Sequence, residues 1–148
     1  MGNVDKQRVN ISAPNLLNIC VDEVHGGEFK GRLYHCYSVE PVIFSNIIQL
    51  LREAEKLFDE ISFPQASTKP RSFVDKDIMQ NGFRQRPQRL VTQTELIKHS
   101  GEVGTFITSV RFRQNSTWQG EMYWVEQDEM MKFFNTLDFI KGLDVALQ

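Results

Sequence analysis

The chain is short of cysteine, of histidine, of long apolar runs and of any strong charge bias: two Cys, three His and a formal net charge of -2 in 148 residues. Each shortage removes a class of protein. No apolar stretch approaches the ~18 residues that a membrane-spanning helix needs. His25, His35 and His99 are scattered, and Cys20 and Cys36 form no CxxC pair, so no metal-ligand spacing is present. Gly and Pro number nine and five, too few for a collagen-like or Pro-rich chain. The stretch Met1 to Asn10 is polar and carries no signal-peptide core. A cytoplasmic location and frayed first residues are expected from it. An apolar content of 41% and an aromatic content of 11% exclude a disordered chain and provide for one globular domain, residues 1–148.

A self-similarity at an offset of 89 residues is the most informative feature present. Phe29 to Phe58 lies over Trp118 to Leu147 without a gap. Identities fall at Gly31/Gly120, Tyr34/Tyr123, Glu40/Glu129, Phe44/Phe133 and Asn46/Asn135, and apolar character matches at Phe29/Trp118, Leu33/Met122, Ile48/Leu137, Leu50/Phe139, Leu51/Ile140, Ala54/Leu143 and Phe58/Leu147. Each half reads as three strands and a helix, over residues 11–61 and 105–148. The expected first-half strands are Leu16 to Val24, Phe29 to Tyr37 and Pro41 to Phe44. Those of the second half are Thr105 to Arg113, Trp118 to Glu126 and Met130 to Phe134. A three-stranded unit of this size is marginal alone, so the expected fold is α+β: duplicated βββα units joined in one antiparallel sheet about a pseudo-twofold, with both helices on one face. Pairing of such halves across a homodimer is the alternative.

Register follows from keeping one face apolar. A two-residue loop at Gly26-Gly27 sets Val21 opposite Arg32, whereas a three-residue loop sets Val21 opposite Leu33 and Ile19 opposite His35. In the second half it sets Val110 opposite Met122 and Phe112 opposite Gly120, with a turn at Asn115-Ser116-Thr117. Three-residue loops are therefore expected. In the first helix Ile47, Leu50, Leu51, Ala54, Leu57, Phe58 and Ile61 form one stripe, with Asn46 as cap and Gln49 as its reciprocal partner. The second helix offers Leu137, Ile140, Leu143 and Leu147, with Asn135 as cap and Asp138 in the first turn; its Gly142 lowers helicity by about 1 kcal/mol against Ala.

Between the halves, residues 62–104 form a basic, Pro-containing insert. Seven Lys and Arg against four Asp and Glu give it +3 in a chain of -2. Thr92 to Ser100 reads as a short helix with a Thr92/Glu95 capping box and Gly101 as its stop.

No catalytic constellation is found. Gly26-Gly27 is followed by a strand, not a helix, so it is a hairpin tip and no phosphate cradle. Cys36 and His35, being adjacent on a strand, point to opposite faces, and the expected register separates Cys20 from His35 in the same way. The two thiols are expected reduced, as diagonal neighbours on the outer face. Glu40 and Glu129 sit beside turns, where a solvated carboxylate is the default. Neither a cofactor nor a metal is implied, and the two Asn-X-Ser/Thr sequons, at Asn10 and Asn115, carry no meaning without a secretory signal. What the sequence offers is surface. Tyr34, Tyr123, Arg32 and Gln119, beside Lys30 and Glu121, are placed on the outer face of the sheet, and Arg84, Arg86 and Arg89 on the insert, as residues for a protein partner or a second copy. Lys69 to Arg89 interleaves basic residues with Phe73 and Phe83, which supports nucleic acid as a second reading, against a sequence pI near 5.9.

Arg113 to Leu147, RQNSTWQGEMYWVEQDEMMKFFNTLDFIKGLDVAL, with its TWQG turn, second tryptophan and terminal amphipathic helix, resembles a recurring segment in small uncharacterised proteins of gut Firmicutes. The first half, from Leu33 through FPQAS and the RSF at Arg71, is similar to the same group. That resemblance covers most of the chain and implies no activity. Where the group has an Arg-Ser pair leading into the last helix, this chain has Phe134-Asn135. A non-enzymatic binding or adaptor module is the function expected from all this, with a nucleic-acid binder as the second reading and an enzyme of unidentified class as the third.

Overall fold

The structure, a computed structural model, describes residues 12–64, 88–114 and 117–148. Six strands form one antiparallel sheet: β1 (Leu17–His25), β2 (Glu28–His35), β3 (Val42–Phe44), β4 (Gly104–Gln114), β5 (Thr117–Trp124) and β6 (Glu129–Phe133). Their order across the sheet is β3-β2-β1-β4-β5-β6, so β1 and β4 meet at its centre. Three helices accompany them: α1 (Ile47–Ile61), α2 (Gln93–Leu96) and α3 (Thr136–Ala146). The architecture is α+β, as the sequence predicts. Asn10, Asn115 and Ser116 lie outside the described residues, as do Lys69 to Pro87 of the insert.

The hairpins differ from the sequence expectation, and the reason is a β-bulge. Both have two-residue connections: His25 faces Glu28 around Gly26-Gly27, and Gln114 faces Thr117. Gly26 and Gly27 both take positive φ, 56° and 84°, which suits a two-residue hairpin turn. The register then shifts between Val21 and Glu23, leaving Asp22 as an extra residue, and likewise between Val110 and Phe112, leaving Arg111. An extra residue in the strand brings the apolar side chains to one face, as an extra loop residue would have done. Val21 therefore faces Gly31 and Ile19 faces Leu33, not Leu33 and His35; Val110 faces Gly120 and Phe112 faces Gln119, not Met122 and Gly120. Every pair from Leu17↔His35 to His25↔Glu28 recurs 89 residues later, from Phe106↔Trp124 to Gln114↔Thr117. At the central seam, Asn18 faces Ile107, its own counterpart at that offset.

The helix caps recur in the same way. Asn46 accepts from the Gln49 N–H at 2.8 Å, and the Gln49 side chain accepts from Ser45 N–H at 2.8 Å. Asn135 accepts from Asp138 N–H at 2.8 Å, and Asp138 from Phe134 N–H at 3.1 Å. These caps set which face of each helix is buried. In α1, Leu50, Ala54, Leu57, Phe58 and Ile61 are buried; in α3, Phe139 and Leu143 are, with Leu147 just beyond its end. Leu137, expected in the core, stands outside like its counterpart Ile48, because the cap places both one position off the stripe.

Both long helices pack on the same sheet face and share one apolar cluster with Leu17, Ile19, Val21, Phe29, Leu33, Phe106, Val110, Trp118 and Met122. Trp118 is the bridge. Its ring meets Phe58 of α1 edge-on at 5.6 Å and Phe139 of α3 at 5.1 Å, and Phe139 continues to Phe133 at 5.3 Å. The Trp118 indole N–H donates to Glu55, whose carboxylate also takes Arg113 at 2.7 Å. Arg113, only 4% exposed, further binds Asp59 and the Pro64 carbonyl and lies over the Phe58 ring. No helix among the described residues is long and apolar enough to cross a membrane.

Gly31 and Gly120 face the residues preceding the bulges, where a Cβ would fall 2.0 Å from the Cys20 carbonyl oxygen and 2.1 Å from that of Ser109. Gly31→Ala or Gly120→Ala is expected to cost about 2 kcal/mol or more in urea unfolding, because backbone must move. Gly142→Ala, whose new methyl meets the flexible ends of Met122 at 3.1 Å and Met131 at 3.7 Å, is expected to leave stability unchanged or raise it.

Candidate interaction surface

The sheet face opposite the helices has its own apolar cluster: Leu16, Cys20, Tyr34, Cys36, Leu96, Ile107 and Tyr123. Its cover is the stretch of insert at 88–103, which makes a third layer where two were expected. Thr92 caps α2 by accepting from Glu95 N–H at 3.1 Å, but the helix ends at Leu96, not Ser100. Leu96 is the strap's apolar anchor, 1% exposed.

Polar groups of β1 and β2 tie the strap down along its length. The Cys36 carbonyl accepts from the N–H groups of Leu90 and Val91 at 2.7 and 3.1 Å. Asn18, fully buried, donates to the carbonyls of Leu96 and His99 at 2.9 and 3.0 Å. Arg32 donates to the Ser100 carbonyl at 2.7 Å, and Asp22 accepts from Glu102 N–H at 3.1 Å. Val21 accepts from Val103 N–H at 2.8 Å, and Thr105, held by the Glu126 carboxylate, accepts from Gly101 N–H at 2.9 Å. Only Leu96 of the strap is buried, and the exposed backbone around it is tied to the sheet at these points.

Arg32 is the centre of this network. It makes two bonds to Asp22, at 2.9 and 3.0 Å, and donates to the Tyr34 hydroxyl at 2.8 Å. Tyr34 in turn stacks flat on His99, ring centres 3.8 Å apart. The bond from Arg32 holds the Asp22 carboxyl below its ordinary range, and the same pairing raises the guanidinium's already high pKa. Burial pushes the Cys20 thiol up to about 12 and raises that of Cys36. Both cysteines are free and buried, so neither supplies a thiolate. Cys20 faces Arg32, not Tyr34 as expected. Burial also lowers the pKa of His35, whose Nδ1 accepts from Tyr37 N–H at 3.1 Å.

The residues proposed from sequence are distributed accordingly. Arg32 and Tyr34 are brought together, but as part of the strap's mooring: Tyr34 is 9% exposed and Tyr123 2%, so the exposure expected of both tyrosines is overturned by the cover above them. Tyr123 donates to Asp128 at 2.6 Å. Gln119 is half-buried opposite Phe112, and Arg89 is exposed at the start of the strap. Arg84 and Arg86 lie outside the described residues. Glu40 and Glu129 are exposed. Among the described residues no three His, Cys, Asp or Glu side chains gather to hold a metal.

Sequence reasoning missed Asn18 and Asp22, and it placed Glu121 on the outer face without its partner; the second hairpin carries the pair Arg111 and Glu121. The last two occupy the positions of Asp22 and Arg32 with charges exchanged, and they too are paired, at 2.9 Å. That exchange at the common offset is the signal that could have found them.

Asp22→Asn is expected to cost about 1–2 kcal/mol at pH 7 and to speed hydrogen exchange of the Glu102 and Val103 amides. Since the folded carboxyl is held low, this contribution is full above its ordinary pKa near 3.8 and lost as pH falls through the folded value, so wild type and variant converge in acid. His35 is neutral-favoured when folded. Stability from it is full above the ordinary value of 6.5 and falls with pH below that, levelling at the lower folded pKa. Urea midpoints between pH 7 and 5 are expected to drop in wild type and to flatten in His35→Gln.

No family model, no curated protein and no solved structure matches the chain.

Proposed function

We propose that the chain is a tandem duplication of a βββα unit about a pseudo-twofold and that it works as a non-enzymatic binding module for another protein. The recurrence of pairings, bulges and caps at one offset supports the duplication. The observation that carries the binding reading is the set of large apolar side chains left in solvent on one margin of the molecule. Phe134, Leu137 and Val145 are 68%, 57% and 69% exposed beside the outermost strand β6. Leu137 and Val145, eight residues apart with Lys141 between them, share one outward helix face. Isolated exposed apolar residues are ordinary, whereas Leu137 and Val145 flanking a lysine on one helix face, with Phe134 at the end of the edge strand β6, have the mixed apolar and basic composition of a contact surface.

The resemblance to a small-protein group of gut Firmicutes adds no activity to this, and a location in the cytoplasm fits it. A protein partner or a second copy both satisfy the surface. Capture from source-cell extract by the tagged chain, repeated with Leu137→Ser/Val145→Ser, tests it: a partner held by wild type is expected to be lost at least tenfold in the variant, with the fold intact by circular dichroism. Equal recovery by both proteins would contradict the reading. An electrophoretic shift with nucleic acid that is steeply salt-dependent and lost on replacing Arg84, Arg86 and Arg89 by Ala would instead favour the nucleic-acid reading.

A further inference from the structure

The bulge site on the strap's face exists twice, and among the described residues one copy has it tied to a passing chain segment. In the first hairpin the bulge residue Asp22 and its partner Arg32 grip a passing segment by its backbone, Arg32 donating to the Ser100 carbonyl and Asp22 accepting from Glu102 N–H. In the second, Arg111 and Glu121 stand at the same register positions and on the same face, joined to each other at 2.9 Å. Next to them Phe112, where the first hairpin has Glu23, is 55% exposed opposite half-buried Gln119. The Arg111 side chain is 54% exposed. An ion pair beside an open aromatic ring, on a patch whose twin already holds polypeptide, offers a carbonyl donor, an amide acceptor and an apolar contact in one place.

We infer that Arg111, Phe112, Gln119 and Glu121 form a docking site for an extended peptide segment of a partner protein, gripped through its backbone by Arg111 and Glu121 and through one apolar side chain by Phe112. The inference deepens the binding-module reading and rests on it. The exchanged charges also set direction. In the strap, the carbonyl bound by Arg32 precedes the N–H bound by Asp22; with donor and acceptor transposed, a docked peptide that keeps this carbonyl-then-amide order runs in the opposite sense. The occupied twin shows the polar chemistry such a patch takes, a backbone carbonyl on the guanidinium and a backbone N–H on the carboxylate, while the strap's own apolar anchor, Leu96, sits on the cluster of Leu16, Cys20, Ile107 and Tyr123.

The test uses the whole protein, isotopically labelled, and a synthetic peptide of the strap's own sequence, Val91 to Gly104, as probe. Peptide addition is expected to shift the amides of Arg111, Phe112, Gln119 and Glu121. Phe112→Ser, a change at an exposed side chain, is expected to weaken that response at least tenfold. Arg111→Asp/Glu121→Arg, which gives the second patch the polarity of the first, is expected to reverse the peptide's direction, read by a spin label at its N-terminus that broadens the opposite end of the patch. Absence of shifts at millimolar peptide, or shifts confined to Asn18, Arg32 and Tyr34 as the probe displaces the strap, would overturn the inference. So would concentration-dependent dimerisation abolished by Phe112→Ser, which assigns the patch to a second copy. A partner captured by wild type and lost with Leu137→Ser/Val145→Ser but not with Phe112→Ser would overturn this site and leave the module reading standing.

Discussion

Everything in this molecule depends on two helices sharing one apolar core under Trp118. The stripe of α1 and the stripe of α3 belong to different ends of the chain, and each would leave its leucines and phenylalanines in water without the other. Trp118 touches both, Phe58 on one side and Phe139 on the other, while Glu55 and Arg113 close the edge of the same contact. Burial of a single aromatic side chain of this kind is worth about 1.5–3 kcal/mol, and here it also fixes where the two helices lie relative to each other. The central pairing of β1 with β4 follows, because it is what lets both helix-bearing hairpins lie side by side.

The bulges turn that packing into a usable opposite face. By adding Asp22 and Arg111 to their strands, they keep Val21 and Val24, and Val110 and Arg113, on the helix face on either side of the shift and put a charged residue on the outside of each hairpin. On one side Asp22 and Arg32 become the clamp that holds the strap. On the other, among the described residues, Arg111 and Glu121 answer only each other. A small difference in the order of two charges therefore separates a surface committed to its own chain from one left open.

Much of this was legible in the sequence, and the parts that were not share a cause. The caps at Asn46 and Asn135, the α1 stripe and the six strands are written in local patterns of three to seven residues. The hairpin register was not, because a longer loop and a bulged strand solve the same facing problem and differ only in backbone geometry; Gly31 and Gly120, recurring opposite the shift, were the available sign. Leu137 was misplaced because a stripe of leucines reads equally well one position off until the cap fixes the first turn. The strap escaped because its mooring joins residues far apart in sequence, such as Asn18 with Leu96 and His99, and no local period records that. Tyr34 and Tyr123 then changed from expected surface to interior.

If one shared core is the basis of the fold, front and rear halves stand or fall together. Native-state hydrogen exchange across a urea series measures this most directly, through the amides of β2 in the first half and β5 in the second. A common opening free energy and a common urea dependence for the two strands is the result that follows from a core bridged by Trp118. Exchange of one strand through its own opening, several kcal/mol below the other, would mean that each half buries its helix separately, and the account would fail.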